Sequence, residues 1–496
     1  MKKFSFLWLF PILIFFVACK STQPSTRSIS SAEIKFNILQ FNDVYEITPV
    51  NGQGGLARVS TLFKNLKAEN PNSLLMLAGD FFSPSALGTA KVDGKRLDGK
   101  QMVMTLNAMG VQYATFGNHE FDVKEDVFKE RMSEGKYKWI SANVYDVNSL
   151  PFPGVKPFEI VTFTEGDKSI RVGIFSVTLD ANKASYVKYA DYLQASKDCI
   201  KLLKPKVDVL IAMTHLTIEQ DLTLAQQLPE IDLIMGGHEH ENILVRRGAR
   251  MTPITKADAN VKTVYVHRFA FNTETKKLSL SHELINVDDK IEEDPAVTAV
   301  VNHWITAAYD GFKKEGFEPS KVAATTTDPL DGLEASVRNH TTKLTDLIAE
   351  SLIKVVPKAE ASVYNSGSIR IDDVLLPGKV TEYDVIRIMP FGGDVVSVSI
   401  KGALLKKTLD QGVVNKGKGG FLQYSNIKST NGSWLLDDKP INDGQTYLIA
   451  MSDFLVSGKE QGLAFLSPAN PDLKILGKHG DIRKAFIAQL KAVYGE

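Results

Sequence analysis

Cysteine is almost absent. Only Cys19 and Cys199 occur among 496 residues, so neither a disulfide framework nor a cysteine-rich zinc site can be built. Net charge is absent as well: 58 Lys plus Arg stand against 58 Asp plus Glu. That balance gives no overall pull toward a nucleic acid polymer or an acidic membrane. Three common catalytic signatures are missing too: there is no G-x-S-x-G elbow, no G-x-x-x-x-G-K-[ST] phosphate loop and no H-E-x-x-H helix. The Gly417–Gly420 run reads as a hairpin-type turn. What remains is a chain with 44% apolar and 23% charged residues, enough for a large core and, at this length, for two or three domains.

The N-terminus carries an export pattern. Lys2 and Lys3 precede an apolar run of about 15 residues, Phe4 to Ala18, too short to span a bilayer comfortably. It ends in Phe16-Val17-Ala18-Cys19, which resembles the lipobox of bacterial lipoproteins. The resemblance implies a signal peptide over 1–19 and a lipid on Cys19 that anchors the chain in the cell envelope, on the periplasmic or surface side. Residues 20–32, rich in Ser and Thr, read as a flexible tether. Cys199 falls in an apolar helical stretch, where a small buried hydrophobe is expected.

From Ile34 to about Val287, apolar β-branched runs alternate with helix-period segments, which predicts an α/β architecture. Strands are expected over Ile34–Phe41, Leu74–Ala78, Tyr113–Phe116, Val172–Val177, Val207–Met213 and Ile231–Met235. Helices are expected over Leu56–Leu66 and Gln101–Met109, the latter stopped by Gly110. The reading places one domain over 33–290, a helical connector over 291–319 and a second domain over 320–496. The connector's helical pattern runs from Val297 to Phe312, and a hinge is expected near Asp310–Pro319. Strands Val395–Ile400 and Thr446–Met451 and helices Thr342–Val356 and Asp481–Val493 belong to the second domain.

The strand ends carry the chemistry. Ile34–Phe41 runs into Asn42-Asp43, Leu74–Ala78 into Gly79-Asp80, and Tyr113–Phe116 into Gly117-Asn118-His119-Glu120-Phe121-Asp122. Val207–Met213 leads to Thr214-His215, and Ile231–Met235 to Gly236-Gly237-His238-Glu239-His240. In open α/β sheets ligands bind outside the carboxyl ends of strands, so carboxylates, an amide and imidazoles converge on one rim. A single Asp there would be a turn residue or a helix cap; five such ends in one order point to a ligand set. Nitrogen and oxygen donors without thiolate suit Zn, Mn, Co, Fe or Ni rather than a calcium cage. Two such ions would clamp both oxygens of a displacement at phosphorus.

The order of these motifs resembles the calcineurin-like metallophosphatases, and the chain as a whole is similar to the secreted 5′-nucleotidase and UDP-sugar hydrolase family. The resemblance implies a four-layer αββα metallophosphatase sandwich followed by an α+β substrate-binding domain. It implies two divalent or mixed-valence ions, with Asp80 bridging, Asn118, His215 and His238 completing one site, and Asp43 and His240 contributing to the other. Water or hydroxide held by the cations would attack phosphorus, with His119 meeting the phosphate or leaving oxygen and Asp122 orienting it. One departure stands out: the family's Asp-x-His is here Asp43-Val44-Tyr45. Three outcomes stay open. Tyr45 binds a ferric ion as tyrosinate, Glu46 or water fills the vacated position, or the first site is weak.

In the second half, Asn365-Ser366-Gly367-Ser368-Ile369-Arg370 resembles the family's Asn-x-Gly-x-Ile-Arg segment, which implies that Arg370 binds a phosphate or carboxylate oxygen. By the same resemblance Tyr424 and Phe454 sandwich a base, with Asn426 and Glu460 nearby; each ring would contribute about 1–3 kcal/mol. The expected function is release of phosphate from nucleotides outside the cytoplasm. Alternatives are a nucleotide-sugar diphosphatase or a cyclic-nucleotide phosphodiesterase. From another class, the alternative is a nucleotide-binding lipoprotein without turnover.

Overall fold

The computed structural model describes Met1 and residues 32–495; the signal segment, the tether through Ser31 and the lipidation expected at Cys19 lie outside the described residues. Strand Glu33–Phe41 is buried on both faces over most of its length, which is why its apolar run is nearly continuous rather than alternating. It pairs in parallel with Ser73–Leu77 and antiparallel with Thr263–Asn272. The full sheet runs in the order 278–286, 263–272, 33–41, 73–77, 113–114, 138–139. A second six-stranded sheet has the order 243–247, 252–256, 233–236, 209–215, 168–178, 158–165.

The two-residue period of a strand explains how these sheets build four layers. Leu74 and Met76 face the other sheet, in a core with Phe163, Ile174, Ile211 and Met213. Their neighbours Leu75 and Leu77 face outward into a core shared with helices Leu56–Glu69 and Lys100–Met109. On the second sheet, Phe175, Leu210 and Ala212 likewise face helices Tyr192–Leu203 and Ile218–Gln227. Phe36 joins the sheets, stacked 4.7 Å from Phe163 and 4.2 Å from Phe269. The result is the αββα sandwich that the family resemblance implies. Cys199 is buried in the outer core, as expected.

Helix Pro295–Lys314 follows, capped by Asp294, whose carboxylate accepts from the Ala296 N–H. It is longer than the Val297–Phe312 pattern by two residues at each end. It is also packed more firmly than a free connector: Val297, Val301 and Phe312 share one core with Leu56 and Met102 before it and with Leu344 and Phe486 after it. Beyond it, a five-stranded sheet has the order 422–425, 361–365, 446–452, 394–401, 473–481. Helices Lys343–Val355 and Ile482–Tyr494 cover one face, and Gly402–Val414 the other. The Gly417–Gly420 run is a helix-to-strand loop rather than a hairpin, with the Gly367 N–H bonded to the Gly419 carbonyl at 2.7 Å.

Phe36→Ala removes the ring that joins the sheets. It is expected to lower stability by about 3–5 kcal/mol in urea denaturation; a loss below about 1 kcal/mol would contradict this packing.

Candidate active site

Five strands of the two large sheets stop where the following side chains become chemistry. The Tyr113–Phe116 run pairs only through Ala114, and the chain then turns into Gly117-Asn118 and a short 3-10 turn, His119–Asp122. Four of the six expected ligands, Asp43, Asp80, His238 and His240, hold positive φ between 51° and 87°. Such backbone is uncommon outside glycine and costs on the order of 1–3 kcal/mol per residue; here it aims side chains inward. Glycines make room for the close approach. A Cβ on Gly117 would lie 2.0 Å from Asp80 Oδ1, and one on Gly237 would lie 2.6 Å from the Ala78 carbonyl and 2.9 Å from Asp43 Oδ2.

Glu120 locks this geometry from behind. One carboxylate oxygen accepts from the N–H groups of Asp80 (2.9 Å) and Gly117 (2.5 Å), the other from Phe81 (2.7 Å) and Phe82 (3.1 Å). Burial and the neighbouring Asp80 charge raise its pKa to about 7. Lys256, fully buried, performs a similar task on the second sheet: its ammonium donates to the carbonyls of Leu216 and Gly237 and pairs with Asp221 at 3.0 Å. It thereby ties the His215 loop to the His238 loop.

Donor atoms of Asp43, Asp80 and His215 all lie within 4.8 Å of one another. His215 Nδ1 hydrogen-bonds the Ala78 carbonyl at 2.8 Å, which leaves Nε2 turned to the carboxylates, 3.2 Å from Asp80 Oδ2 and 4.0 Å from Asp43 Oδ1. The His238 ring lies 5.4 Å from that of His215, and the His238 backbone N–H donates to Asp43 Oδ2 at 2.8 Å. Asn118, which precedes His119 in the chain, is buried. His215 Nε2 and Asn118 Oδ1 are buried atoms with no hydrogen-bond partner, an arrangement that a cation relieves and that water-free burial does not. Titration follows the same field. Burial disfavours charge on His215, but Asp80 and Asp43 push its pKa up to about 9; burial and His215 push His238 down to about 3. This donor set fits a divalent ion.

His119 stands beside the cluster. Its N–H donates to Asp80 Oδ1 at 2.8 Å, and its Nδ1 is 2.7 Å from Asp122 Oδ2. Asp122 is itself held by Ser83 Oγ at 3.1 Å and Asn182 Nδ2 at 2.8 Å. Burial works against a charged His119, but Asp122 and Asp80 raise its pKa. Tyr45 also enters the cluster, its hydroxyl 3.0 Å from His240 Nε2 and 3.3 Å from Asp80 Oδ2. Burial, Asp80 and Asp43 hold the phenol well above its usual range. Glu46, a candidate for the vacated ligand position, is engaged elsewhere: it accepts from the Tyr383 hydroxyl at 2.9 Å and lies 3.9 Å from Arg387. Its carboxylate thus bridges to the second domain in this structure.

The family described as calcineurin-like phosphoesterase matches residues 36–242, and the family described as 5′-nucleotidase, C-terminal domain, matches residues 321–466. The chain belongs to the 5′-nucleotidase-like metallophosphoesterases. Among its relatives, a trifunctional nucleotide phosphoesterase protein of Bacillus subtilis is 26% identical over 470 residues, covering 81% of this chain and 31% of that protein. A human 5′-nucleotidase is 25% identical over 414 residues, covering 75% of this chain and 69% of that one. A solved 5′-nucleotidase precursor from Thermus thermophilus shares the fold with a TM-score of 0.75 at 20% identity, covering 93% of this chain and 97% of that one.

In this metallophosphoesterase the second domain reaches the cluster through Arg370 and Asp372. A cavity of about 40 Å³ is lined by Tyr45, His119 and His240 from the first domain and by Glu334, Arg370 and Asp372 from the second. Arg370 lies 5.9 Å over the Phe391 ring and 3.9 Å from Glu334. The expected base-binding residues are dispersed. Tyr424 packs edge-on to Trp434 at 5.8 Å, at the border of the second domain's core. Asn426 occupies an exposed turn with its amide on the Glu360 carbonyl. Phe454 is exposed. Glu460 accepts from Asn365 Nδ2 at 2.8 Å, which brings it to the Asn365–Arg370 segment. Phe421, three residues before Tyr424, is half-buried beside that segment: its carbonyl accepts from the Ser366 N–H, and a Cβ on the adjoining Gly420 would lie 3.0 Å from Glu460 Oε1.

Sequence reasoning missed Ser83, Asn182, Lys256 and Asp372. Asp372 carried a signal, two residues beyond Arg370; Asn182 and Lys256 carried none. Glu120→Ala is expected to leave four buried N–H groups unpaired, each costing on the order of 1–3 kcal/mol. Glu120→Gln, which keeps one acceptor oxygen, should lose less. Chemical denaturation checks this ranking, and equal stability of both variants with wild type would contradict it.

Proposed function

We propose that the chain is a metal-dependent phosphoesterase that releases phosphate from nucleotides outside the cytoplasm. The observation that carries this reading is the buried cluster in which His215 Nε2 meets the Asp80 carboxylate at 3.2 Å and Asn118 Oδ1 is left without a hydrogen-bond partner, with the His119–Asp122 dyad alongside. Asp80, Asn118, His215 and His238 would hold the ion. A bound divalent cation there supplies charge stabilisation at the phosphoryl group and makes water acidic enough to attack near neutral pH. Zn, Mn, Co and Fe all suit these donors.

The chain's own groups supply the rest. Asp122 takes the Nδ1 side of His119, so Nε2 is the nitrogen left to give a proton to the departing oxygen, a role typically worth 10²–10⁴-fold in rate. Arg370 lines the same cavity and offers a planar fork to phosphate oxygens. The intact dyad supports turnover over a binding protein that lacks it. The cavity of about 40 Å³ admits a few water molecules but not a nucleotide, whose sites run to roughly 300–1,000 Å³. Parting of the two domains, with the residues near Asp310–Pro319 as the hinge, would widen this cavity for substrate. For the base, Phe421, half-buried beside the Asn365–Arg370 segment, is the alternative to Tyr424 as partner of Phe454, because the Tyr424 ring packs edge-on to Trp434. Among the described residues no helix is long and apolar enough to cross a membrane; the lipid on Cys19 would provide attachment.

Phosphate release from 5′-AMP with Mn²⁺ tests the reading. Release is expected to be abolished by chelation and restored by metal, and His119→Ala should lower kcat by about 10²–10⁴-fold with metal content unchanged. Release that persists through chelation, or none with Zn, Mn, Co or Fe, would overturn it. In the same assay Phe421→Ala is expected to raise KM by about tenfold or more, in line with about 1–3 kcal/mol per stacked ring, while Tyr424→Ala changes it little. The reverse order would restore Tyr424.

A further inference from the structure

The two metal positions implied by the fold are not alike in this chain. On the Asn118 and His215 side, Asn118 Oδ1 is buried with no hydrogen-bond partner and His215 Nε2 has only the Asp80 carboxylate beside it, at 3.2 Å. On the Asp43 and His240 side, every donor is already engaged. Asp43 Oδ2 accepts from Asn42 Nδ2 at 2.7 Å and from the His238 N–H at 2.8 Å. His240 Nδ1 meets Asp372 Oδ2 of the second domain at 2.5 Å, and its Nε2 meets the Tyr45 hydroxyl at 3.0 Å. The phenolic oxygen lies 3.0–3.5 Å from His240 Nε2, Asp80 Oδ2 and Asp43 Oδ1 together, in the middle of the very atoms that would surround an ion. Ligand bonds to such an ion are about 2.0–2.2 Å long. An ion at that distance from all three would have to displace the hydroxyl or take its proton.

The hydroxyl is firmly placed. The N–H groups of Tyr45 and Glu46 both donate to Asn260 Oδ1, at 2.9 and 3.1 Å, and the Asn260 N–H returns to the Asp43 carbonyl at 2.8 Å. From the other side, Asp372 is fixed by the Glu334 N–H at 2.8 Å to its second oxygen.

We propose that this chain holds one cation where its fold implies two, with the Tyr45 hydroxyl in the place of the second and His240 linking that hydroxyl to Asp372 instead of binding metal. The inference rests on the reading of the Asp80, Asn118, His215 and His238 site above, and it departs from the expectation of a metal pair. Tyr45, His119, His240 and Arg370 line one cavity, so a phosphate there meets hydrogen-bonding groups on the side where a second ion would lie. Because Asp372 and Arg370 come from the second domain, closing the domains completes this chain of bonds.

The test counts ions. Full-length protein stripped with chelator and dialysed against Mn²⁺ is measured by elemental analysis and by electron paramagnetic resonance. Wild type is expected to hold one ion per chain with the six-line spectrum of isolated Mn²⁺. Tyr45→His is expected to hold two, with a spectrum broadened by coupling between neighbouring ions. Two ions in wild type would overturn the proposal, as would a purple tyrosinate band after iron loading. One ion in both proteins would remove Tyr45 as the cause. If Tyr45→His does not fold, the wild-type count decides alone. No ion in wild type would instead overturn the phosphoesterase reading itself, which two ions would leave standing.

Discussion

The carboxylate of Asp80 is the group around which the rest of the molecule is arranged. One of its oxygens accepts from the His119 N–H, and the other lies beside His215 Nε2 and the Tyr45 hydroxyl. Burial works against its charge, yet His215 and His119 hold its pKa below the usual carboxylate range. It can occupy this position only because its backbone takes a left-handed turn and because Gly117 has no side chain to collide with it. Glu120 then holds the turn itself, through the N–H groups of Asp80 and its neighbours. A charged residue forced into strained backbone at the end of a buried strand weakens a fold unless something binds there.

The sandwich explains how one carboxylate meets partners from four other strand ends. Parallel strands on both sheets point their carboxyl ends to the same rim, and alternation along each strand gives one set of side chains to the inter-sheet core and the other to the helices. The rim is left for polar groups. Helix Pro295–Lys314 is packed into a core common to both halves, so the second domain is held over that rim and Arg370 and Asp372 reach it.

Much of this was legible in the sequence, for a physical reason. Glycine directly before a polar residue at a strand end, as in Gly79-Asp80, Gly117-Asn118 and Gly237-His238, records a close backbone approach that a Cβ would forbid. Strands such as Glu33–Phe41 and helices such as Lys343–Val355, with Thr342 in a capping box, follow from local pattern and capping. What was not legible depends on distant contacts. Asn182 reaches the His119 dyad from 60 residues away, and Lys256 is an ordinary lysine until two loops close over it. The surroundings of the ring expected to stack on a base are of the same kind: Tyr424 lies at its strand end by local pattern, but its edge contact with Trp434, ten residues on, could not be read there.

Anomalous diffraction from a crystal soaked in Mn²⁺ tests the central claim most directly. The account predicts a strong peak bounded by Asp80, Asn118, His215 and His238. A crystal with no peak there, at a Mn²⁺ concentration that supports phosphate release, would contradict it.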